Sequence, residues 1–196
     1  MTEILNNEKR NDEIVYMNMF DFFLKQDKTL LNNFIKFLIQ RDISEDETKN
    51  VQINRGENNI DLIIRTKNYF IVIINDIERD KCSKTQLDKN YRYAEYIIGH
   101  NSEKLEPDNF NRINNNDLFK VTRYYIFTPN YNDINSFIIN DKNNIYSIIK
   151  YNKLFDFFKN NKPKKLLNKK IELYYDDFVN AIKLHTCEND SIYEKM

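Results

Sequence analysis

The sequence is poor in the residues that build loops and cross-links. Its 196 residues include two Gly, three Pro, two Cys and no Trp. Since Gly and Pro concentrate in turns, their scarcity favours regular helices and strands over a loop-rich fold. Cys82 and Cys187 provide neither a disulfide framework nor the spacing of a zinc site. This favours a reducing compartment, and we expect a cytoplasmic protein.

Excess charge of one sign and long apolar runs are also missing. Thirty basic residues balance thirty acidic ones, so the whole chain lacks a strongly basic nucleic-acid footprint, although a local basic patch remains open. No stretch reaches the roughly 18 apolar residues of a membrane span, and the polar N-terminus lacks the apolar core of a signal peptide. We therefore expect no membrane association. Asn and Lys are abundant, as is typical of AT-rich genomes, so clusters of either carry little weight.

Hydrophobic residues still make up 41% of the chain, enough for one domain with a core. Their spacing predicts helices at about 16–40, 84–98, 154–158 and 171–184. Asp27 is suited to split the first range into two helices by capping the second of them, and Gly99 is suited to end the helix at 84–98. Apolar runs predict strands at 51–55, 60–64, 70–74, 121–128 and 145–150. This order predicts a single α/β domain with a mixed sheet covered by helices. We expect the domain to span 16–186, with a flexible leader (1–15), a flexible tail (187–196) and an exposed insertion (101–117).

The segment IDLIIRTKNYFIVIINDIERDK, which starts at residue 60, holds the most informative pattern. Two β-branched strands flank a short polar turn, and Asp61 and Asp76 lie near their shared end. If the turn centres between residues 66 and 67, Asp61 lies across from about Val72, on the face of Asp76. The two carboxylates would then be placed to hold a hard divalent ion such as Mg²⁺. The alternative is that both acids cap strand ends in solvent.

The order of the motifs resembles the PD-(D/E)XK nuclease superfamily. An Asp with apolar flanks (NNIDLII) precedes an apolar strand (YFIVIINDI) and a helix that opens with Gln86 and Leu87 (TQLDKNYRYAEYI). The pattern is most similar to a bacterial and phage branch with strands "RIDILI" and "IIIENKI" followed by "QL..Y". RYYIFTPNY, YNKLFDFF and LYYDDFVNAI are similar to later elements of that branch, so the resemblance covers about residues 30–184. It implies a restriction-endonuclease-like fold, a mixed β-sheet flanked by helices with an α-β-β-β-α-β core.

In that superfamily an Asp and the Glu of a Glu-x-Lys motif hold Mg²⁺, and the Lys helps to position the water that the metal activates. The resemblance matches Asp61 to the Asp and Gln86 to the helix signature. Ile74 stands at the Glu position and Asp76 at the Lys position. The first change removes a metal ligand, and the second replaces a cation with an anion that repels phosphate. The resemblance also implies an accessory acid, a Glu in the first helix, and the first predicted helix offers no such residue.

Three interpretations remain open. In the first, catalysis is impaired or lost and the fold binds DNA or RNA. In the second, Asp61 with Asp76 or Glu78 holds Mg²⁺, Lys81 or Lys84 supplies the missing charge, and the protein is an active nuclease with a rearranged site. In the third, the fold is a non-enzymatic module that binds a protein partner, in phage defence or regulation. We favour loss over relocation, because two moved groups must restore sub-ångström geometry.

Few basic residues are candidates for contact with nucleic acid. Lys164 and Lys165 lie in the lysine-rich segment KNNKPKKLLNKK, and Arg92 stands between two tyrosines that are suited to stack on a base. We favour the ordinary explanations, in which the lysine-rich segment is a solvated connection and the tyrosines beside Arg92 pack their helix on the sheet. His100 and His185 have no partner at ligand spacing, so we expect structural or surface roles. The oligomeric state stays open.

Overall fold

A computed structural model describes residues 15–55, 60–76, 84–101, 121–130, 145–163 and 169–186, and within these ranges it leaves the side chains of residues 84 and 97–101 undescribed. In this part of the chain a five-stranded mixed sheet lies between helices, as expected for an α/β protein. The predicted leader, insertion and tail fall almost entirely outside the described residues. None of the described helices combines the length and apolarity needed to cross a bilayer.

Two helices open the described chain, and Asp27 separates them as predicted. Helix α1 covers residues 15–26 and α2 covers Lys28–Ile39. Asp27 Oδ1 accepts a hydrogen bond from the Leu30 N–H at 2.7 Å, which satisfies one of the N–H groups that a helix start leaves open. The chain then leaves α2 at Gln40, whose φ of 53° is left-handed.

The strands lie close to their predicted positions: β1 Gln52–Arg55, β2 Leu62–Arg65, β3 Tyr69–Asn75, β4 Val121–Thr128 and β5 Tyr146–Lys150. The remaining described helices are α3 Lys84–Asn101, α4 Tyr151–Asn160 and α5 Lys169–Leu184. Helix α3 continues through Gly99, so the predicted stop at this residue is wrong. Glycine inside a helix costs only about 1 kcal/mol relative to alanine, an amount that the surrounding helix absorbs.

The strand order is β1-β2-β3-β4-β5. Strands β1, β2 and β3 are antiparallel neighbours, whereas β4 runs parallel to β3 and β5 runs parallel to β4. The carboxyl ends of β3, β4 and β5 therefore meet at one edge of the sheet, at Asn75, Thr128 and Lys150. We call this the carboxyl edge. In open α/β sheets, ligands bind outside such an edge.

The sheet is buried on both faces. On one face, alternate residues of β3 pack with α1, α2, α4 and α5 around aromatic side chains such as Phe20 and Phe34. On the other, Leu87 and Ala94 of α3 pack on the apolar side chains of β3 and β4; we call this the α3 face. Two covered faces explain why β3 is apolar along its length (YFIVIIN) and why all seven of its residues are buried.

Candidate functional site at the carboxyl edge

The register of the β2–β3 hairpin differs from the prediction. Ile63 pairs with Val72 and Leu62 with Ile73, which centres the turn between residues 67 and 68. The turn lies one residue later than predicted, and Asp61 does not lie opposite Val72. The cause is the Thr66 side chain, whose hydroxyl accepts a hydrogen bond from the Tyr69 N–H at 2.9 Å and closes a tight turn at this position.

Asp61 lies in a β-bulge, a feature that the hydrophobic pattern of the sequence does not predict. Its N–H donates to the Ile73 carbonyl at 3.0 Å, although Ile73 already pairs with Leu62. Two residues of one strand thus oppose one residue of its neighbour, which defines a bulge. Ile60 accordingly packs in the cluster on the α3 face, whereas strict alternation from Leu62 would place it on the other face. The predicted common face of the two acids rested on strict alternation, which the bulge interrupts.

The Asp61 carboxylate binds the backbone of β3. Its Oδ2 accepts a hydrogen bond from the Asn75 N–H at 2.7 Å, and the side chain is half-buried. The Asn75 N–H points toward β2. Ile73, two residues earlier, pairs with Leu62 of β2, and the N–H groups of alternate residues in a strand point to the same neighbouring strand. The carboxylate therefore replaces the next carbonyl of the ladder. Asp61 caps a strand end, as the alternative interpretation held, but in a partly buried setting.

Ile74 and Asp76 occupy different environments on the same face of β3. Ile74 is 6% exposed and packs with Leu87 of α3 and Ile126 of β4. Asp76 is 1% exposed, and its N–H donates to the Phe127 carbonyl at 2.8 Å. This bond continues the parallel ladder by one step. The position of the expected metal ligand is thus part of the apolar core, and the position of the expected lysine is a buried acid.

The described residues bring together few ligands for a divalent metal. Such ions are bound by carboxylate oxygens and waters, so the oxygens must be free to coordinate the ion. One Asp61 oxygen is already held by a backbone N–H, and Ile74 brings an apolar side chain to the place of a second ligand. Within the described ranges, no group of three or more His, Cys, Asp or Glu residues is placed to hold a metal. Glu78 and Lys81 lie outside these ranges, and only the backbone of Lys84 is described.

Helix α3 presents its candidate residues on different sides. Gln86 is half-buried, and its side-chain amide donates to Oδ1 of the buried Asn90 at 2.9 Å. Arg92 is exposed. Tyr91, its neighbour, packs on Tyr124 with ring centroids 5.4 Å apart, so it joins the helix to the sheet. The two connecting lysines, 164 and 165, fall outside the described residues.

Glu47 belongs to the opposite end of the hairpin. Its carboxylate accepts hydrogen bonds from the Ser44 N–H at 2.9 Å and the Asn68 side chain at 2.7 Å, and it pairs with Arg41. These donors, the Ser44 N–H foremost, lower the pKa of Glu47 to about 2. Because Asn68 lies in the β2–β3 turn, Glu47 fastens the 41–50 loop there. It is not an accessory acid for Asp61.

Two further polar residues lie at the carboxyl edge and were not singled out from the sequence. Thr128 pairs with Lys150 across β4 and β5, and the Asp76 bond to Phe127 places Asp76 beside Thr128. We call Asp76, Thr128 and Lys150 the polar row. The sequence contains one sign of this row, because each of the three residues lies two positions after an isoleucine of its strand (Ile74, Ile126 and Ile148). Parallel pairing, which aligns the three, was not predictable from the strands alone.

On the other face of the carboxyl edge, two hydrogen bonds and a ring contact form a network of side chains. The Tyr151 hydroxyl donates to Asn75 Oδ1 at 2.5 Å. The Tyr151 ring contacts the His185 ring at 5.3 Å between centroids, and His185 Nε2 lies 3.1 Å from the Tyr16 hydroxyl. His185 is 6% exposed, which places it inside the fold rather than on the surface. The network ties both ends of the described chain to the strand that carries Asn75.

The carboxyl edge thus combines a bulged, backbone-bound Asp61 with an apolar Ile74 and a polar row across three parallel strands. Bulges are frequent beside functional sites, where they redirect a side chain. Comparisons of the chain with protein-family models, with curated proteins and with solved structures gave no significant match.

Proposed function

We propose that the chain is a PD-(D/E)XK nuclease-type protein that has lost or greatly reduced metal-dependent cleavage and binds DNA or RNA. The observation that carries the proposal is the environment of Ile74. It lies at the position of the family's metal-binding Glu, and it packs with Leu87 and Ile126. A carboxylate in this cluster would lose its hydration without gaining a partner there.

The arrangement of the elements supports a nuclease-type fold. Helix α2 precedes three antiparallel strands, and α3 leads to β4, which is parallel to β3. This is the α-β-β-β-α-β order that the resemblance implies. The 2.7 Å bond from Asn75 to Asp61 also joins the two strands on which the family's Asp and Glu-x-Lys residues stand.

Asp76 supports the loss of cleavage on electrostatic grounds. A lysine at this position would attract the scissile phosphate, whereas the carboxylate repels it. The position of the family's lysine therefore supplies no cation for the scissile phosphate.

A cleavage assay tests the catalytic half of the proposal. Purified protein is incubated with DNA and with RNA in Mg²⁺ and in Mn²⁺, beside Asp61→Ala and the matched control Asp88→Ala, an exposed acid of α3. We expect no cleavage above background in any of the three. Metal-dependent cleavage that disappears in Asp61→Ala but persists in Asp88→Ala would establish the rearranged active nuclease instead.

A binding assay tests the other half. Fluorescence anisotropy of labelled oligonucleotides is measured at low and at physiological salt. We expect weak binding that falls steeply with salt, because phosphate contacts release counterions and the chain has no net charge. Absence of binding at low salt would favour the non-enzymatic module that binds a protein partner.

A further inference from the structure

The large apolar side chains that face solvent are concentrated on two helices. Among the residues whose side chains the structure describes, six large apolar ones are exposed. Five of these, which are 40–64% exposed, belong to α1 and α5: Val15, Phe22, Leu173, Tyr174 and Leu184. The sixth, Tyr96, lies on α3. Single exposed apolar residues are normal on a soluble protein, whereas a contiguous group marks an interaction surface.

Helices α1 and α5 are antiparallel neighbours. Three ring contacts with centroids 5.0–5.3 Å apart join them: Tyr16 with His185, Phe20 with Phe178, and Phe23 with Tyr175. Val15 and Leu184, each next in sequence to a residue of the first contact, therefore lie at one end of the helix pair. Phe22 and Tyr174, each next to a residue of the third contact, lie at the other end.

Both helices turn an apolar stripe to solvent. Val15 and Phe22 are seven residues apart, which is two helical turns, so they lie on one side of α1. Leu173 and Leu184 are eleven residues apart, which is three turns, so they lie on one side of α5. Packed helices lie about 8–10 Å apart, so the two stripes are neighbours. Together with Tyr174 they form one surface, which we call the α1–α5 face.

The size of the α1–α5 face fits contact with a second copy of this chain. Its five large side chains expose about 500 Å² of apolar surface, close to the largest patch on a typical monomer. Two such faces in contact would bury about 1,000 Å² of apolar surface. Because a little over half of an interface is apolar, the whole contact would approach the roughly 1,600 Å² of a stable complex.

The polar groups and the net charge also fit a second copy. Asn18 lies on the α1 stripe and Asn180 on the α5 stripe, and both are exposed. A side-chain amide both donates and accepts hydrogen bonds, so two identical faces can pair these groups across a two-fold axis. The chain has no net charge, so two copies do not repel each other as whole molecules.

We propose that the protein is a homodimer in which the α1–α5 face of one copy packs on the same face of the other. Helices α1 and α5 cover one side of the sheet and α3 covers the opposite side. The dimer therefore leaves α3 of both copies exposed at its two outer sides. The exposed Arg92 of each α3 stays accessible in this arrangement.

Sedimentation velocity tests the dimer with charge-matched variants. Wild type, Leu173→Glu/Leu184→Glu and the control Thr85→Glu/Tyr96→Glu are compared from about 1 to 100 μM, the range in which interfaces of moderate affinity dissociate. Thr85 and Tyr96 are exposed residues of α3, so the control adds the same charge away from the α1–α5 face.

We expect wild type and the control to dimerise reversibly with similar Kd values. The Kd of Leu173→Glu/Leu184→Glu should be at least tenfold higher, because its new carboxylates would lose hydration in the contact without gaining a partner. Wild type that stays monomeric over the whole range would overturn the proposal. Equal Kd values for all three proteins, or equal weakening in both variants, would overturn the assignment to the α1–α5 face.

Hydrogen exchange and thermal melting locate the contact and check folding. Amides of α1 and α5 should exchange more slowly as the wild-type concentration rises, while those of α3 should not change. Slowing confined to other elements would place the dimer contact elsewhere and overturn the proposal. Far-UV circular dichroism at about 1 μM should show unchanged melting temperatures in both double variants, because their substituted residues are exposed.

A monomeric wild type would give the α1–α5 face a different occupant. If Leu173→Glu/Leu184→Glu then melted at a lower temperature than the control, the face would be covered by another segment of the same chain. If the two variants melted alike, the face would be left to a different protein. These measurements contain no nucleic acid, so the dimer and the proposed function stand or fail separately.

Discussion

At the scale of single residues, Asp61 shows how a motif residue and a structural residue differ. The resemblance identifies it as a metal ligand, but its carboxylate accepts the Asn75 N–H at 2.7 Å and closes the ladder of β3. A side chain used in this way contributes to folding whether or not the protein cuts nucleic acid. Stability measurements therefore test its role separately from activity.

We predict that Asp61→Ala lowers the free energy of unfolding by about 1–3 kcal/mol, because it leaves the Asn75 N–H without its acceptor. Asp61→Asn keeps an acceptor oxygen and should lose less than half as much. Urea denaturation of both variants, with Asp88→Ala as the exposed control, measures the difference. Equal stability of wild type and Asp61→Ala would contradict the capping role.

Glu47 supports a prediction about pH. Its pKa is lowered to about 2 by the Ser44 N–H, the Asn68 side chain and Arg41. A carboxylate with a lowered folded-state pKa stabilises the fold fully above its unfolded value near 4.5, and the effect disappears as pH falls toward 2. With screening by solvent, we expect on the order of 1 kcal/mol. Glu47→Gln should thus be less stable than wild type at pH 7, with the difference vanishing near pH 2; a constant difference would argue against this linkage.

At the scale of elements, the sequence was sufficient for the strands and insufficient for their pairing. β-Branched runs with short polar connections predicted β3 and β4 to within a residue or two, because a strand buried on both faces must be apolar throughout. The bulge at Asp61 and the turn fixed by Thr66 depend on side-chain-to-backbone hydrogen bonds. Such bonds shift a register without changing the hydrophobic pattern, so apolar spacing alone does not reveal them.

The residues of the candidate site were likewise predictable where they depend on single strands and not where they depend on strand pairing. The resemblance located Asp61, Ile74 and Asp76 on the two strands that meet at one end. It did not locate Thr128 or Lys150, since these become neighbours of Asp76 only through parallel pairing of β3, β4 and β5. Residues contributed by different strands to one edge are recognisable only when strand order is known.

The environment of β3 predicts the outcome of introducing the Glu-x-Lys motif of the superfamily that the sequence resembles. In Ile74→Glu/Asp76→Lys, the new carboxylate would enter the cluster with Leu87 and Ile126. We expect a loss of about 3 kcal/mol or more in unfolding free energy, because a charge is buried there without a partner, and no metal-dependent cleavage. Thermal denaturation and the nuclease assay measure both effects. A stable double variant that cleaves DNA would show that Ile74 and Asp76 are all that separates the protein from activity.

At the scale of the whole molecule, aromatic packing makes the helical layer and the sheet one unit. The Phe20 ring of α1 lies 5.0–6.3 Å, between centroids, from rings of four other elements: Phe34, Phe127, Phe158 and Phe178. Since these belong to α2, β4, α4 and α5, a single side chain connects both ends of the described chain. The carboxyl edge is then held in place by a core that lies outside it.

This connection predicts cooperative unfolding and gives the matched variants that test it. Phe20→Ala should lose about 3–5 kcal/mol, the usual range for a buried phenylalanine, because its cavity lies among rings that several elements hold apart. Phe22→Ala, two residues away in α1 and 40% exposed, should lose less than about 1 kcal/mol. Urea unfolding followed by far-UV circular dichroism and by tyrosine fluorescence should give coincident transitions in wild type and both variants. Separate transitions, with the sheet surviving in Phe20→Ala after the helices melt, would mean that the carboxyl edge is stabilised locally by the sheet and α3 and does not depend on the aromatic core.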